Sequence, residues 1–115
     1  MSRRSPYLLI DDMLEAIGKL ERFTAGYDYE KFIKEDKTTD AVVRNLEIIG
    51  EAASRIPAEI RGEFHKIEWS KMIGLRHRIV HEYFGVDLEI VWRIVRHDIP
   101  SVKLLVEEMR DKLKK

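Results

Sequence analysis

Apolar residues recur every three or four positions along most of the chain, which is the spacing of one face of an α-helix. The first such stripe comprises Tyr7, Ile10, Met13, Leu14, Ile17, Leu20 and Thr24. Ser5 precedes the stripe where an N-cap is expected, Pro6 takes the first helical position, and Gly26 lies just beyond the last turn. The pattern therefore predicts a long first helix that Gly26 closes.

A second long helix is predicted from about Lys37 to Arg55, ended by Pro57. Its apolar stripe consists of Val42, Leu46, Ile49, Ala53 and Ile56. Before it, the pattern predicts a helical turn or two after Asp28 and a polar break over residues 36–40. A short turn is expected after Pro57.

The third predicted helix begins at Trp69 and continues to about Tyr83, where Gly85 supplies a C-terminal signal. Asp87 is placed to cap the final helical stretch, which Pro100 is expected to kink or divide. No alternating strand pattern, repeat or low-complexity tract interrupts this series. We therefore predict an all-α fold, an antiparallel bundle of four or five helices forming one domain over residues 1–115.

Composition excludes several classes of protein. The 115 residues carry 21 basic and 21 acidic side chains, so the formal net charge of zero argues against a non-specific nucleic-acid coat protein. The absence of cysteine excludes disulfide and thiolate chemistry. Asp11 and Asp12 interrupt the first apolar run, which is then too short for a signal peptide or a membrane span. These features predict a cytoplasmic location.

The stretch GLRHRIVHEYFGVD concentrates two arginines, two histidines, a carboxylate and a tyrosine between Arg76 and Tyr83. On a straight helix Arg76 and Tyr83 share a face, whereas Arg76 and His81 lie roughly 140° apart. One straight helix would not aim Arg76 and His81 at the same point. A second copy of the chain, related by a two-fold axis, could complete such a site, which favours a homodimer.

Three interpretations of this stretch compete. The charged residues could simply cover an exposed helix face near a C-terminus, where cations are favourable. His77 and His81 could be an i, i+4 metal-ligand pair, but the segment HRIVH lacks the glutamate of H-E-x-x-H and no third ligand is evident. Alternatively, Arg76 could hold a phosphodiester with its guanidinium while His81 shuttles protons, which would permit RNA cleavage without a metal.

The spacing Arg-x4-His-x-Tyr, formed by Arg76, His81 and Tyr83, resembles the HepT-like toxins of the HEPN superfamily. Three flanking segments, RNLEIIGEAA, IEWSKMIGLRHRIVHEYFGVD and VWRIVRHDIP, also resemble that family and together span most of the chain. The position directly after the motif arginine is His77 in this chain, and asparagine or aspartate is also common at that position in the family. The resemblance implies a HEPN-like bundle that acts as a homodimer.

The resemblance further implies the toxin of a prokaryotic type VII toxin–antitoxin system, a metal-independent ribonuclease without a cofactor. Arg76 and His81 would be its catalytic residues in a composite cleft between two protomers. Its partner would be a nucleotidyltransferase antitoxin of the MNT type, which can transfer AMP from ATP to the motif tyrosine, here Tyr83. Its substrate would be an RNA, such as a tRNA or an mRNA.

His77, Arg78 and Asn45 are further candidates for lining the cleft. Asn45 falls within the apolar stripe of the second helix, where a satisfied core amide is the competing interpretation. Glu47 and Glu51 are interpreted as part of a solvated face. The rival function is a non-catalytic binding module that docks a nucleotidyltransferase partner or a nucleotide through the same cleft.

Overall fold

The computed structural model describes residues 4–81 and 85–114, and for His81 the backbone alone. Within these ranges the chain forms eight α-helices, a π-helical segment and one pair of two-residue strands. They are α1 (Pro6–Thr24), α2 (Tyr29–Lys34), α3 (Asp36–Arg55), α4 (Ala58–Glu63), α5 (Trp69–Ile73), α6 (Leu75–Ile79), β1 (Val80–His81), β2 (Gly85–Val86), α7 (Leu88–Arg93), the π-helix (Ile94–Asp98) and α8 (Ile99–Leu113). The prediction of an all-α bundle is confirmed.

The core lies between α1 and α3, which form the most extensive helix pair among the described residues, and α8 also packs against α1. The stripes predicted from the sequence supply it, because Ile10, Met13 and Ile17 of α1 are fully buried together with Leu46 and Ile49 of α3. Burying these large side chains against one another is the main source of the fold's stability.

Polar side chains cap the N-termini of the first two helices. The hydroxyl of Ser5 accepts a hydrogen bond from the Leu8 amide at 3.2 Å, which confirms Ser5 as the N-cap of α1. The side chain of Asp28 caps α2 in the same way. The expected polar break over residues 36–40 is wrong, since α3 already begins at Asp36 and buries Thr39.

The predicted single helix from Trp69 to about Tyr83 is also wrong. The helix is interrupted at Gly74, which separates α5 from α6, and it ends at Ile79. Val80 is extended, with φ −108° and ψ 122°, and it pairs with Val86 in a short antiparallel ladder. The arginine and the histidine of the Arg-x4-His spacing therefore lie on different elements, Arg76 on α6 and His81 on β1.

The last helical run is not divided at Pro100. The segment from Leu88 to Leu113 remains helical, and the π-helix Ile94–Asp98 lies immediately before Pro100. A proline in a helix lacks an amide donor, and its ring clashes with the carbonyl four residues earlier, here that of Arg96. The wider π turn accommodates that loss. No helix in the described part of the chain is long and apolar enough to cross a membrane.

Candidate active site

Arg76 lies in the first turn of α6 and reaches across to α3. Its Nη1 donates a hydrogen bond to Oε2 of Glu47 at 2.6 Å, and the two side chains form an ion pair. The Arg76 side chain is nevertheless 70% exposed, whereas that of Glu47 is 27% exposed. Since an arginine carries five N–H donors, most of this guanidinium remains accessible to an anion from solution.

Close backbone packing sets the position of Glu47 relative to Arg76. Gly50, one turn after Glu47, is buried where α3 crosses the junction of α5 and α6. A Cβ atom at Gly50 would lie 2.9 Å from the carbonyl oxygen of Met72 and 3.6 Å from that of Ile73. The absence of a side chain at Gly50 therefore allows α3 to contact the backbone just before Arg76.

An open groove of about 330 Å³ surrounds this ion pair. Its lining residues are Arg44, Glu47, Gly50, Glu51, Ser54, Ile73 and Arg76. Glu51 pairs with Arg55 on the same helix at 3.0 Å, so it is partly neutralised, as Glu47 is by Arg76. Arg44 adds a further exposed guanidinium beside Glu47. The groove therefore presents two arginines and paired carboxylates to solvent, an arrangement that can receive a phosphate.

The segment after α6 carries the rest of the predicted motif. The β1 residue His81 pairs with Gly85, whose φ of +73° is a conformation that glycine adopts readily. The amide of Asp87 donates to the carbonyl of Ile79 at 2.7 Å, which ties the end of this hairpin back to α6. The Asp87 side chain also caps α7, as predicted. The side chain of His81 and all of Tyr83 lie outside the described residues.

The three additional cleft candidates do not gather around Arg76 within one chain. His77 is exposed on α6. Arg78 points to a separate groove and donates to Asp98 at 3.2 Å. Asn45 is buried, donates to the carbonyl of Ala41 at 2.8 Å, and borders a groove between α1 and α3. The interpretation of His77 and His81 as an i, i+4 metal-ligand pair on one helix is wrong, because α6 ends at Ile79.

Sequence reasoning missed two residues of this site. Glu47 was interpreted as solvated, yet it holds the motif arginine, and Gly50 was not singled out. A signal was available, because a lone glycine inside an otherwise strong helix commonly marks close packing of another backbone. Gly50 lies three positions after Glu47, hence on the same face of α3. Among the described residues, no three histidine, aspartate or glutamate side chains form a group that could hold a metal ion.

Comparison with known proteins gives consistent matches over nearly the whole chain. Residues 13–109 match the family described as "Ribonuclease HepT-like". "Probable ribonuclease HepT" of Thermococcus cleftensis is 41% identical over 108 residues, covering 94% of this chain and 98% of that protein. "Putative RNase MJ1380" of Methanocaldococcus jannaschii is 40% identical over 107 residues, covering 93% and 98% of the two chains.

A further relative matches along nearly the whole chain. "Putative RNase TTE0752" of Caldanaerobacter subterraneus is 37% identical over 114 residues, which span 99% of this chain and 100% of that protein. No solved structure matches the chain. The matched residues 13–109 make up most of the sequence. The chain belongs to the ribonuclease HepT-like family.

Proposed function

We propose that this protein is a metal-independent endoribonuclease toxin in which Arg76 binds the scissile phosphate and His81 transfers protons. One observation carries the proposal: the family's motif arginine is held at one nitrogen by Glu47 and leaves its other donors exposed in an open groove. A guanidinium matches the geometry of a phosphodiester and retains its charge at every physiological pH.

The chemistry requires a base, an acid and a stabilising cation. A base removes the proton of the ribose 2′-hydroxyl, and the resulting oxygen attacks the adjacent phosphorus. Arg76 stabilises the charge that develops on the pentacoordinate phosphate, and an acid protonates the departing 5′-oxygen. His81 can serve as base or acid, because imidazole changes its protonation near neutral pH.

A homodimer would supply the second proton-transfer group. Arg76 and His81 lie on different elements rather than on one straight helix, so helical divergence of the two residues gives no support to the dimer. The need for both an acid and a base supports the dimer instead, since each chain contributes one motif histidine. In the proposed dimer, the motif segments of both protomers contribute to a shared cleft.

A nucleotidyltransferase antitoxin is the proposed regulator, with Tyr83 as the acceptor of AMP. Tyr83 belongs to the short segment between β1 and β2, and both strands adjoin the end of α6. An adenylyl group attached there would bring an anionic phosphate and a bulky nucleoside close to the site of RNA binding. Charge and volume would then exclude the substrate.

The test is cleavage of a mixed RNA substrate by the purified full chain, with and without EDTA. We expect wild-type cleavage to persist in EDTA, and Arg76→Ala and His81→Ala each to reduce it by about 100-fold or more. Arg93→Gln is the matched control and should leave cleavage unchanged, since Arg93 is an exposed arginine that pairs with Glu89 on α7 and does not line the groove around Arg76. Wild-type protein that binds RNA or a nucleotidyltransferase without cutting RNA would instead support the binding-module function.

A further inference from the structure

We infer that Glu47 is a positioning residue of the ribonuclease site, holding Arg76 in the orientation that receives the phosphate. This inference rests on the proposed function and assigns a role in that site to a carboxylate of α3. The carboxylate contacts Nη1 of Arg76 at 2.6 Å. It is the ion-pair partner of Arg76 within the described ranges 4–81 and 85–114.

Arg76 needs such an anchor because most of its side chain projects into solvent. A long exposed arginine samples many rotamers. Ordering it when the substrate binds costs conformational entropy and so lowers the affinity for RNA, and only some of those rotamers place the guanidinium where it can contact the phosphate. Glu47 restricts that sampling before RNA arrives, so less order has to be imposed in the transition state. A single engaged nitrogen leaves Nη2 and Nε of Arg76 free for two phosphate oxygens.

Glu47 is itself held more firmly than Arg76. It lies in the middle of α3, a 20-residue helix whose opposite face belongs to the core. Three residues later, Gly50 packs against the backbone of the α5–α6 junction, which fixes the offset between the two helices. The anchor is therefore built on a rigid element and the phosphate-binding group on its neighbour, as a preorganised site requires.

The opposite effect is also physically conceivable. A carboxylate beside the phosphate site repels RNA and competes for the guanidinium, in which case removing it would increase activity. The structure favours positioning, because Glu47 engages one nitrogen and leaves 70% of the Arg76 side chain exposed. The remaining donors of the guanidinium therefore stay available to a phosphate.

The experiment compares Glu47→Ala and Glu47→Gln with Glu108→Ala in the same chain. Glu108 is the matched control, because it is an exposed helical glutamate that pairs with Lys112 on α8 at 3.6 Å and does not line the groove around Arg76. We expect kcat to fall about 10- to 100-fold in Glu47→Ala, with a smaller change in KM. Glu47→Gln should recover part of the loss, because the amide oxygen still accepts a hydrogen bond. Glu108→Ala should stay within about twofold of wild type.

A double-mutant cycle with Arg76→Ala separates positioning from a general structural role. If Glu47 acts through Arg76, adding Glu47→Ala to Arg76→Ala should change the residual kcat by less than about twofold. Two outcomes would overturn the inference while leaving the proposed function intact. One is a double variant whose loss of kcat equals the product of the losses in the two single variants, and the other is higher activity in Glu47→Ala. Wild-type protein that cuts no RNA, or a fully active Arg76→Ala, would instead overturn the proposed function.

Discussion

Replacing Gly50 by alanine tests whether close packing at the middle of α3 holds the candidate site together. On an exposed helix, glycine to alanine stabilises by about 1 kcal/mol, because alanine loses less conformational freedom. At Gly50 the added methyl would lie 2.9 Å from the Met72 carbonyl oxygen, a distance that real Cβ atoms essentially never show. The neighbour is backbone, so the two helices must separate, and such overpacking costs about 1–3 kcal/mol.

The net expectation for Gly50→Ala is a loss of about 0–2 kcal/mol in the free energy of unfolding, as the steric cost exceeds the helix-propensity gain. Gly18→Ala is the matched control inside α1, since its methyl would meet only the flexible tip of Arg22 at 3.4 Å. That variant should gain up to about 1 kcal/mol. Urea denaturation followed by circular dichroism, at one protein concentration for all variants, measures both. Equal stabilisation by the two substitutions would refute the argument from close packing.

Two further predictions concern assembly and regulation. Sedimentation equilibrium at micromolar concentration should give twice the monomer mass, and a monomer that cleaves RNA at full rate would contradict the composite site. Incubation with a cognate nucleotidyltransferase and ATP should add adenylyl mass to the peptide containing Tyr83, abolish cleavage, and leave Tyr83→Phe unmodified. Neutralisation without any added mass on that peptide would indicate that the antitoxin acts by covering the cleft.

The helices that could be predicted best are those whose ends are fixed by local chemistry. Ser5 and Asp87 were identified as N-caps from the sequence, and both side chains accept the expected backbone hydrogen bond. The motif helix was predicted too long, because the apolar spacing through Ile79 and Val80 continues past the point where the helix stops. The pairing of Val80 with Val86 and the bond from Asp87 to Ile79 compete with helix continuation there. Such contacts between residues several positions apart leave little trace in helical periodicity.

The sequence alone determined the all-α class, the core stripes and the family motif, because periodicity and residue spacing are local properties of the chain. Only the tertiary structure decided which carboxylate meets Arg76, since Glu47 is 29 positions away in sequence and reaches it through the packing of α3 on the α5–α6 junction. The tertiary structure likewise separated Arg78 and Asn45 from Arg76 within one chain. Helical spacing shows which side chains share a face, but the neighbour of that face depends on how whole helices pack.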